Sequence, residues 1–291
     1  MPWRVLFMFS VPHSVTGHPH LVACNLPGLA QQSAIGIARQ ERMTQTSFLT
    51  SPQGRKLAYC KTAGSGPGVV FLGGFKSDME GTKAVYLEEW AMRSGRAFLR
   101  FDYSGHGQSS EAFTDGCIGD WAADARAVIE TLTQGPQVLV GSSMGGWISL
   151  LMARAVPQRI AGLVTIAAAP DFTEDSMWAG FSEAQKKTLA ETGQVGLPSD
   201  YGDPYIITQK LIKEGRENLV LRAPLDLPFP VRFLQGTADA DVDMSVALRL
   251  LAHANGPDMR LSLLKGADHR FSDPECLGMI ETALEEVVSC A

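Results

Sequence analysis

The sequence predicts an α/β fold: a mostly parallel central sheet, helices on both faces and a small helical lid. Three observations predict it. Short apolar runs alternate with amphipathic helical stretches from about residue 48 to the end of the 291-residue chain. The apolar run Gln137-Val138-Leu139-Val140 stops at Gly141-Ser142-Ser143-Met144-Gly145-Gly146, and an apolar-periodic run from Trp147 to Ala153 follows at once. Between about residues 171 and 226 the alternation breaks into helical pieces separated by glycine and proline.

Each element has its own signal. Phe48 to Ser51 and Lys56 to Cys60 flank Pro52-Gln53-Gly54, a hairpin turn. Val69 to Leu72 is a buried strand. Thr82 to Arg93 carries Val85, Leu87 and Trp90 among charges and stops before Gly95, as a helix does. Ala97 to Phe101 is a strand running into Ser104-Gly105-His106-Gly107. Trp121 to Leu132 is a helix with Asp120 as its expected N-cap. After the Gly-Ser turn and its helix come a strand at Gly162 to Ala168 and the insertion at about 171–226, which includes a helix at Ser182 to Glu191. Strand Val231 to Gln235, helix Ser245 to Ala254, strand Arg260 to Leu264 and helix Glu275 to Val288 close the chain. Strands separated by helices this way give a parallel sheet covered on both faces.

The Gly141-to-Gly146 turn carries the chemistry. A strand that ends in Gly-x-Ser-x-Gly and reverses directly into a helix presents its central serine, Ser143, at a helix N-terminus, where negative charge is favoured. Ser142 competes for the role but lacks glycines two residues to either side. A serine hydroxyl needs a base, and the base needs an orienting carboxylate. Asp239, three residues past Gly236 at a strand end, is the expected acid. Asp241 and Asp243 share its loop and lie further from the strand. His269 is the expected base. Of six histidines it alone follows both Ser143 and Asp239 at a strand end; His13, His18 and His20 lie in the N-terminal segment, His106 precedes the serine, and His253 falls in a helical pattern. The oxyanion requires two N–H donors. Met144, next to the serine, and Phe75, after Gly73-Gly74, are the expected pair.

These residues, together with Phe71 to Ala84, Arg100-Phe101-Asp102-Tyr103-Ser104-Gly105, Gly146-Trp147 and Asp268-His269-Arg270, are similar to segments of the α/β-hydrolase superfamily. They resemble its subgroup of mitochondrial palmitoyl-protein thioesterases and acyl-glucuronide hydrolases with bacterial relatives. The resemblance runs from about Gln45 to the C-terminus and departs from the subgroup pattern at Gly73, where a proline is expected. It implies a serine hydrolase of carboxylic esters or thioesters, with Ser143, Asp239 and His269 as the triad. It implies no cofactor and no metal.

Composition narrows the partners. A hydrophobic fraction of 45% and a charged fraction of 19% suit one large globular domain. A net charge of −6 with the signs interspersed argues against nucleic acid and against a basic membrane-binding face. The expected partner is a small-molecule or acylated-protein substrate. Five scattered cysteines without a Cys-x-x-Cys pair point to reduced thiols, and so to a cytoplasmic location. Residues 1–42 are read as an extension, disordered or the product of a start assigned too early, since Met43 directly precedes the first strand. Its apolar run ends at Pro12-His13, too short for a clear signal peptide or a membrane span. The domain proper is 43–291. Two other classes share the fold: peptidases and C–C hydrolases, and ligand receptors that keep the triad. Burst release of a chromogenic leaving group separates an enzyme from a receptor.

Overall fold

The computed structural model of the chain describes residues 45–197 and 204–291. The expectations for residues 1–42 lie outside the described residues. Strand β1 (Ser47–Thr50) and β2 (Lys56–Thr62) pair antiparallel around the expected turn, with Gly54 at φ +83. The remaining long strands are β3 (Ser65–Leu72), β4 (Arg96–Phe101), β5 (Gln137–Ser142), β6 (Ile160–Ile166), β10 (Val231–Gly236) and β12 (Met259–Leu264). They form an eight-stranded sheet in the order β1-β2-β4-β3-β5-β6-β10-β12. Every pairing from β4 to β12 is parallel. The carboxyl ends of β3, β5, β10 and β12 therefore lie along one rim, where open α/β sheets bind their ligands.

Side-chain alternation along these strands builds two cores. Val138 and Val140 point into one face, packing with Leu87 and Trp90 of α1 (Thr82–Ser94) and with Ile280 and Leu284 of α7 (Pro274–Cys290). Leu139 points into the other. It packs there with Trp121 of α2 (Ile118–Leu132) and with Trp147 and Ile148 of α3 (Met144–Ala155), all fully buried. Helix α2 starts earlier than expected, and Cys117 rather than Asp120 occupies its N-cap. Asp120 lies in the first turn, where Arg55 at 3.2 Å and Lys210 at 2.6 Å pair with it; ion pairing has won over capping.

The segment between β6 and β10 holds a π-helical turn (Thr173–Trp178), α4 (Glu183–Thr192), β7 (Gln194–Leu197), β8 (Tyr205–Thr208) and α5 (Gln209–Gly215), followed by a short β9 (Leu225–Asp226). It is therefore not purely helical: β7 and β8 form an antiparallel hairpin. Gly193, left-handed at φ +79, stops α4, and the β-branched Val195 and Ile207 turn inward as the two strands pair. Fully buried Asp171 closes the base of the segment by accepting from Val220 N (2.8 Å), Leu221 N (3.0 Å) and the Arg222 guanidinium (2.7 Å). Trp147 Nε1 donates to Asn218 O at 3.0 Å and ties the segment to α3. Within this segment Phe181 and Leu211 are core, whereas Trp178 and Leu197 are half-buried. After β10, α6 (Met244–His253) and a short β11 (Ala254–Asn255) lead into β12.

Candidate active site

The turn after β5 is strained, and its neighbours show how the strain is held. Ser143 has φ 53 and ψ −116, a backbone state that a non-glycine residue occupies at a cost of about 1–3 kcal/mol. Ser143 N donates to Ile166 O at 2.9 Å, and Ser143 O accepts from Gly146 N and Ala169 N at 2.9 and 3.1 Å. The flanking glycines are steric requirements. A Cβ on Gly145 would stand 2.0 Å from Leu72 O and 2.6 Å from Gly73 O; one on Gly141 would stand 2.4 Å from Gly145 O. Both sets of atoms are backbone and cannot rotate away. Gly145→Ala is therefore expected to destabilise the protein by about 4 kcal/mol or more, the range of severe overpacking. Thermal denaturation and soluble yield check this, and an unchanged melting temperature would contradict the packing described.

Ser143, His269 and Asp239, 126 and 30 residues apart in the chain, meet at the rim. His269 Nε2 lies 3.1 Å from Ser143 Oγ, and His269 Nδ1 lies 2.9 Å from Asp239 Oδ2. The Asp239 side chain is fully buried and that of His269 nearly so, while Ser143 is half-buried and reachable. Asp239 spends its acceptors fully. Oδ1 accepts from Asp241 N (2.9 Å) and Val242 N (2.8 Å), and Oδ2 accepts from Gln235 Nε2 (2.9 Å) as well as from the imidazole. Asp241 thus supports the acid through its backbone. Asp243 instead caps α6, accepting from Ser245 N at 2.8 Å. Asp239, Asp241 and His269 bring possible ligand atoms within 4.8 Å of one another, but the Asp239 oxygens and His269 Nδ1 are already committed to these hydrogen bonds. Ser142, buried as the last residue of β5, is not part of the line. A hydroxyl, an imidazole and a carboxylate in this sequence can move a proton off the hydroxyl while the resulting imidazolium is held.

The loop after β3 lies against the serine: a Cβ on Gly74 would be 3.5 Å from that of Ser143. Neither Phe75 N–H nor Met144 N–H meets an acceptor among the described residues, as expected of the first turn of a helix for Met144. Three side-chain hydrogen bonds and a ring contact shape this loop. Ser77 Oγ donates to Gly74 O at 2.7 Å, Lys76 N donates to His106 Nε2 at 3.2 Å, and Met79 N donates to Asp102 Oδ1 at 2.7 Å. The Phe75 ring is wedged edge-on among Phe113, Trp121 and Phe172, with centroids 4.8 to 6.0 Å away. Burial raises the Asp102 carboxyl to about 6 even though it accepts backbone N–H groups. On the far side Lys83 Nζ donates to Arg270 O, beside His269, and burial followed by the Arg270 charge lowers it to about 8.

Gln235, Asp102, His106 and Lys83 thus support the site without having been singled out from sequence. Gln235 and Asp102 had one signal: polar residues at the ends of apolar strands. The signal cannot say what they touch.

This rim geometry and sheet order define the class. A family model for the α/β-hydrolase fold matches residues 84–233. The chain belongs to the α/β-hydrolase fold family. The rat mitochondrial palmitoyl-protein thioesterase ABHD10 (Rattus norvegicus) is 34% identical over 247 residues, covering 84% of this chain and 83% of its own. The human protein of the same name (Homo sapiens) is 33% identical over 247 residues, covering 84% and 80%. Among solved structures, a chain from Agrobacterium vitis S4 described as a hydrolase superposes with a TM-score of 0.81 at 38% identity, covering 85% of this chain and all of that one. The α/β-hydrolase domain-containing protein 10 from mouse gives 0.78 at 32%, covering 84% and 98%. The expectation of a cytoplasmic location is corrected by these matches, because the curated relatives are mitochondrial. Reduced thiols do not separate those two compartments, so the cysteine pattern could not decide. No helix among the described residues is long and apolar enough to cross a membrane.

Proposed function

We propose that the chain is a serine hydrolase that cleaves carboxylic esters or thioesters through an acyl-serine intermediate. The observation that carries this reading is the continuous line from Ser143 Oγ through His269 to Asp239, at 3.1 and 2.9 Å. Ser143 Oγ attacks the acyl carbon as His269 Nε2 takes its proton. Asp239 keeps the imidazole in the Nδ1–H tautomer and stabilises its charged form. The carbonyl oxygen, now an oxyanion, is held by the N–H groups of Phe75 and Met144, each worth about 3 kcal/mol when aligned. The imidazolium returns the proton to the departing thiolate or alkoxide. Water, deprotonated by the same imidazole, then attacks the acyl-serine and releases the acid.

The segment at about 171–226 serves in this reading as a lid, and a long acyl chain as the substrate part it covers. Phe172, Met177, Trp178 and Leu197 are half-buried apolar residues packed against the core on the α2–α3 face, the face the serine helix belongs to. The names of the rat and human relatives support a palmitoyl-sized chain. Protein cysteine is the leaving group those names suggest, and an acyl sugar is the rival in the same subgroup. Each methylene buried contributes about 0.8 kcal/mol, close to fourfold. In a series of p-nitrophenyl esters and matched thioesters, kcat/KM is expected to climb from acetyl until the pocket fills. A maximum at acetyl with a steady decline would instead make this a small-ester hydrolase.

A further inference from the structure

His106 sits in the turn after β4, ahead of every candidate nucleophile, and its place in the chain assigns it no part in the chemistry. Its surroundings do. The ring is 4% exposed and is met edge-on by Tyr103, Phe113 and Trp121, with centroids at 5.6, 5.2 and 5.1 Å. A backbone N–H can only donate, so the 3.2 Å contact from Lys76 N requires an unprotonated Nε2. Nδ1 then carries the single proton and donates it to Ser104 O at 3.1 Å. That carbonyl is itself pinned by Trp121 Nε1 at 3.0 Å, and Ser104 N and Oγ both donate to buried Asp124, at 2.9 and 2.6 Å. The imidazole is therefore a rigid strut from the turn after β4 to the loop after β3. It ends on Lys76, which directly follows Phe75 and holds φ +56, a left-handed state that lysine does not favour unaided.

We propose that His106 is a positioning residue of the hydrolysis: by accepting the Lys76 N–H it fixes the Gly73–Lys76 loop with the Phe75 N–H directed at the oxyanion. The proposal rests on the reading of Phe75 as an oxyanion donor. Burial lowers the His106 pKa to about 4, so the ring stays in the neutral, accepting form through the neutral pH range. Ser77 N and Oγ hold Gly74 O on the N-terminal side of Phe75, and Asp102 holds the loop further on at Met79; the His106 tie holds the peptide on the C-terminal side of Phe75.

Two measurements test it. The first uses the native chain: side-chain 15N NMR at pH 7 is expected to show His106 neutral with the proton on Nδ1. A protonated Nε2 would overturn the proposal. The second compares His106→Phe, which keeps an aromatic ring in the cage but has no acceptor, with His106→Gln, whose amide oxygen reaches toward the Nε2 position. His106→Phe is expected to lose about 10- to 100-fold in kcat on an activated ester, with KM within about threefold. Affinity for an alkyl boronic acid, which mimics the tetrahedral oxyanion, should fall by a similar factor. His106→Gln should recover most of both. A folded His106→Phe with native kcat, or equal losses in the two variants, would sink the idea. If His106→Phe does not fold, the tautomer and a native-like kcat and boronate affinity in His106→Gln carry the decision; a Gln variant that folds but loses both by 10-fold or more refutes the proposal. Ser143→Ala is the control: if it keeps turnover, the hydrolase reading itself fails, whatever His106 does.

Discussion

Ser143→Ala is expected to lower kcat on an activated ester by at least about 10⁴-fold while the melting temperature stays within a few degrees of native. Removal of a serine nucleophile elsewhere costs up to about 10⁶ in kcat, and what remains is the roughly 10³–10⁴ over water contributed by oxyanion donors and binding. The fold should tolerate the change for a structural reason. Among the described residues the hydroxyl has one hydrogen-bond partner, His269 Nε2, whereas the turn is held through the backbone by Ile166 O, Gly146 N and Ala169 N. Alanine keeps the Cβ and inherits the same backbone. Steady-state turnover, fluorophosphonate labelling and thermal denaturation of both proteins measure the outcome. Near-native turnover would remove Ser143 from the mechanism. An equal loss in Ser142→Ala would move the nucleophile one residue back.

Asp239→Asn is the second large effect, about 10⁴-fold in kcat. The carboxylate accepts at both oxygens, from Gln235 Nε2 and His269 Nδ1 on one and from two backbone N–H groups on the other. An amide has one oxygen. The backbone N–H groups of Asp241 and Val242 cannot change sign, so the oxygen goes to them and the NH₂ turns toward the histidine. Nδ1 must then accept, which moves the ring proton to Nε2, and a protonated Nε2 cannot take the proton from Ser143. The loss should therefore appear in kcat with KM little changed. At high pH, where hydroxide substitutes for the missing base, part of the rate should return. A variant within tenfold of native would mean that another group, Asp241 being nearest, orients His269.

Much of the site was legible because its signals are local. Gly141 and Gly145 mark a place where backbones nearly touch, and that requirement shows as glycine whatever the rest of the chain does. Strand ends followed by glycine and then Asp239 or His269 are likewise contained in a few residues. The supporting residues were not legible for the opposite reason. His106 precedes the serine in the chain, yet it reaches across 30 residues to Lys76; Lys83 reaches across 187 to Arg270. Neither pair leaves a pattern along the sequence. The insertion shows the same limit. Gly193, Val195 and Gly196 are compatible with a loop between helices or with a strand, and pairing of Gln194 with Thr208 decided for the strand.

What the sequence determined by itself is the alternation of strands and helices, the sharp turn at Ser143, and the chain order of serine, acid and histidine. Each follows from side-chain periodicity or from steric demands felt within a turn. Tertiary structure alone decided that β10 stands beside β6 and β12 beside β10, which brings Asp239 and His269 to the rim next to Ser143. It alone decided that Gln235 reaches the Asp239 carboxylate, and that the buried His106 imidazole meets Lys76 N in the loop before α1. These outcomes depend on which side chains the closed core leaves within 3 Å of one another, a quantity fixed by packing in three dimensions and by nothing in the spacing along the chain.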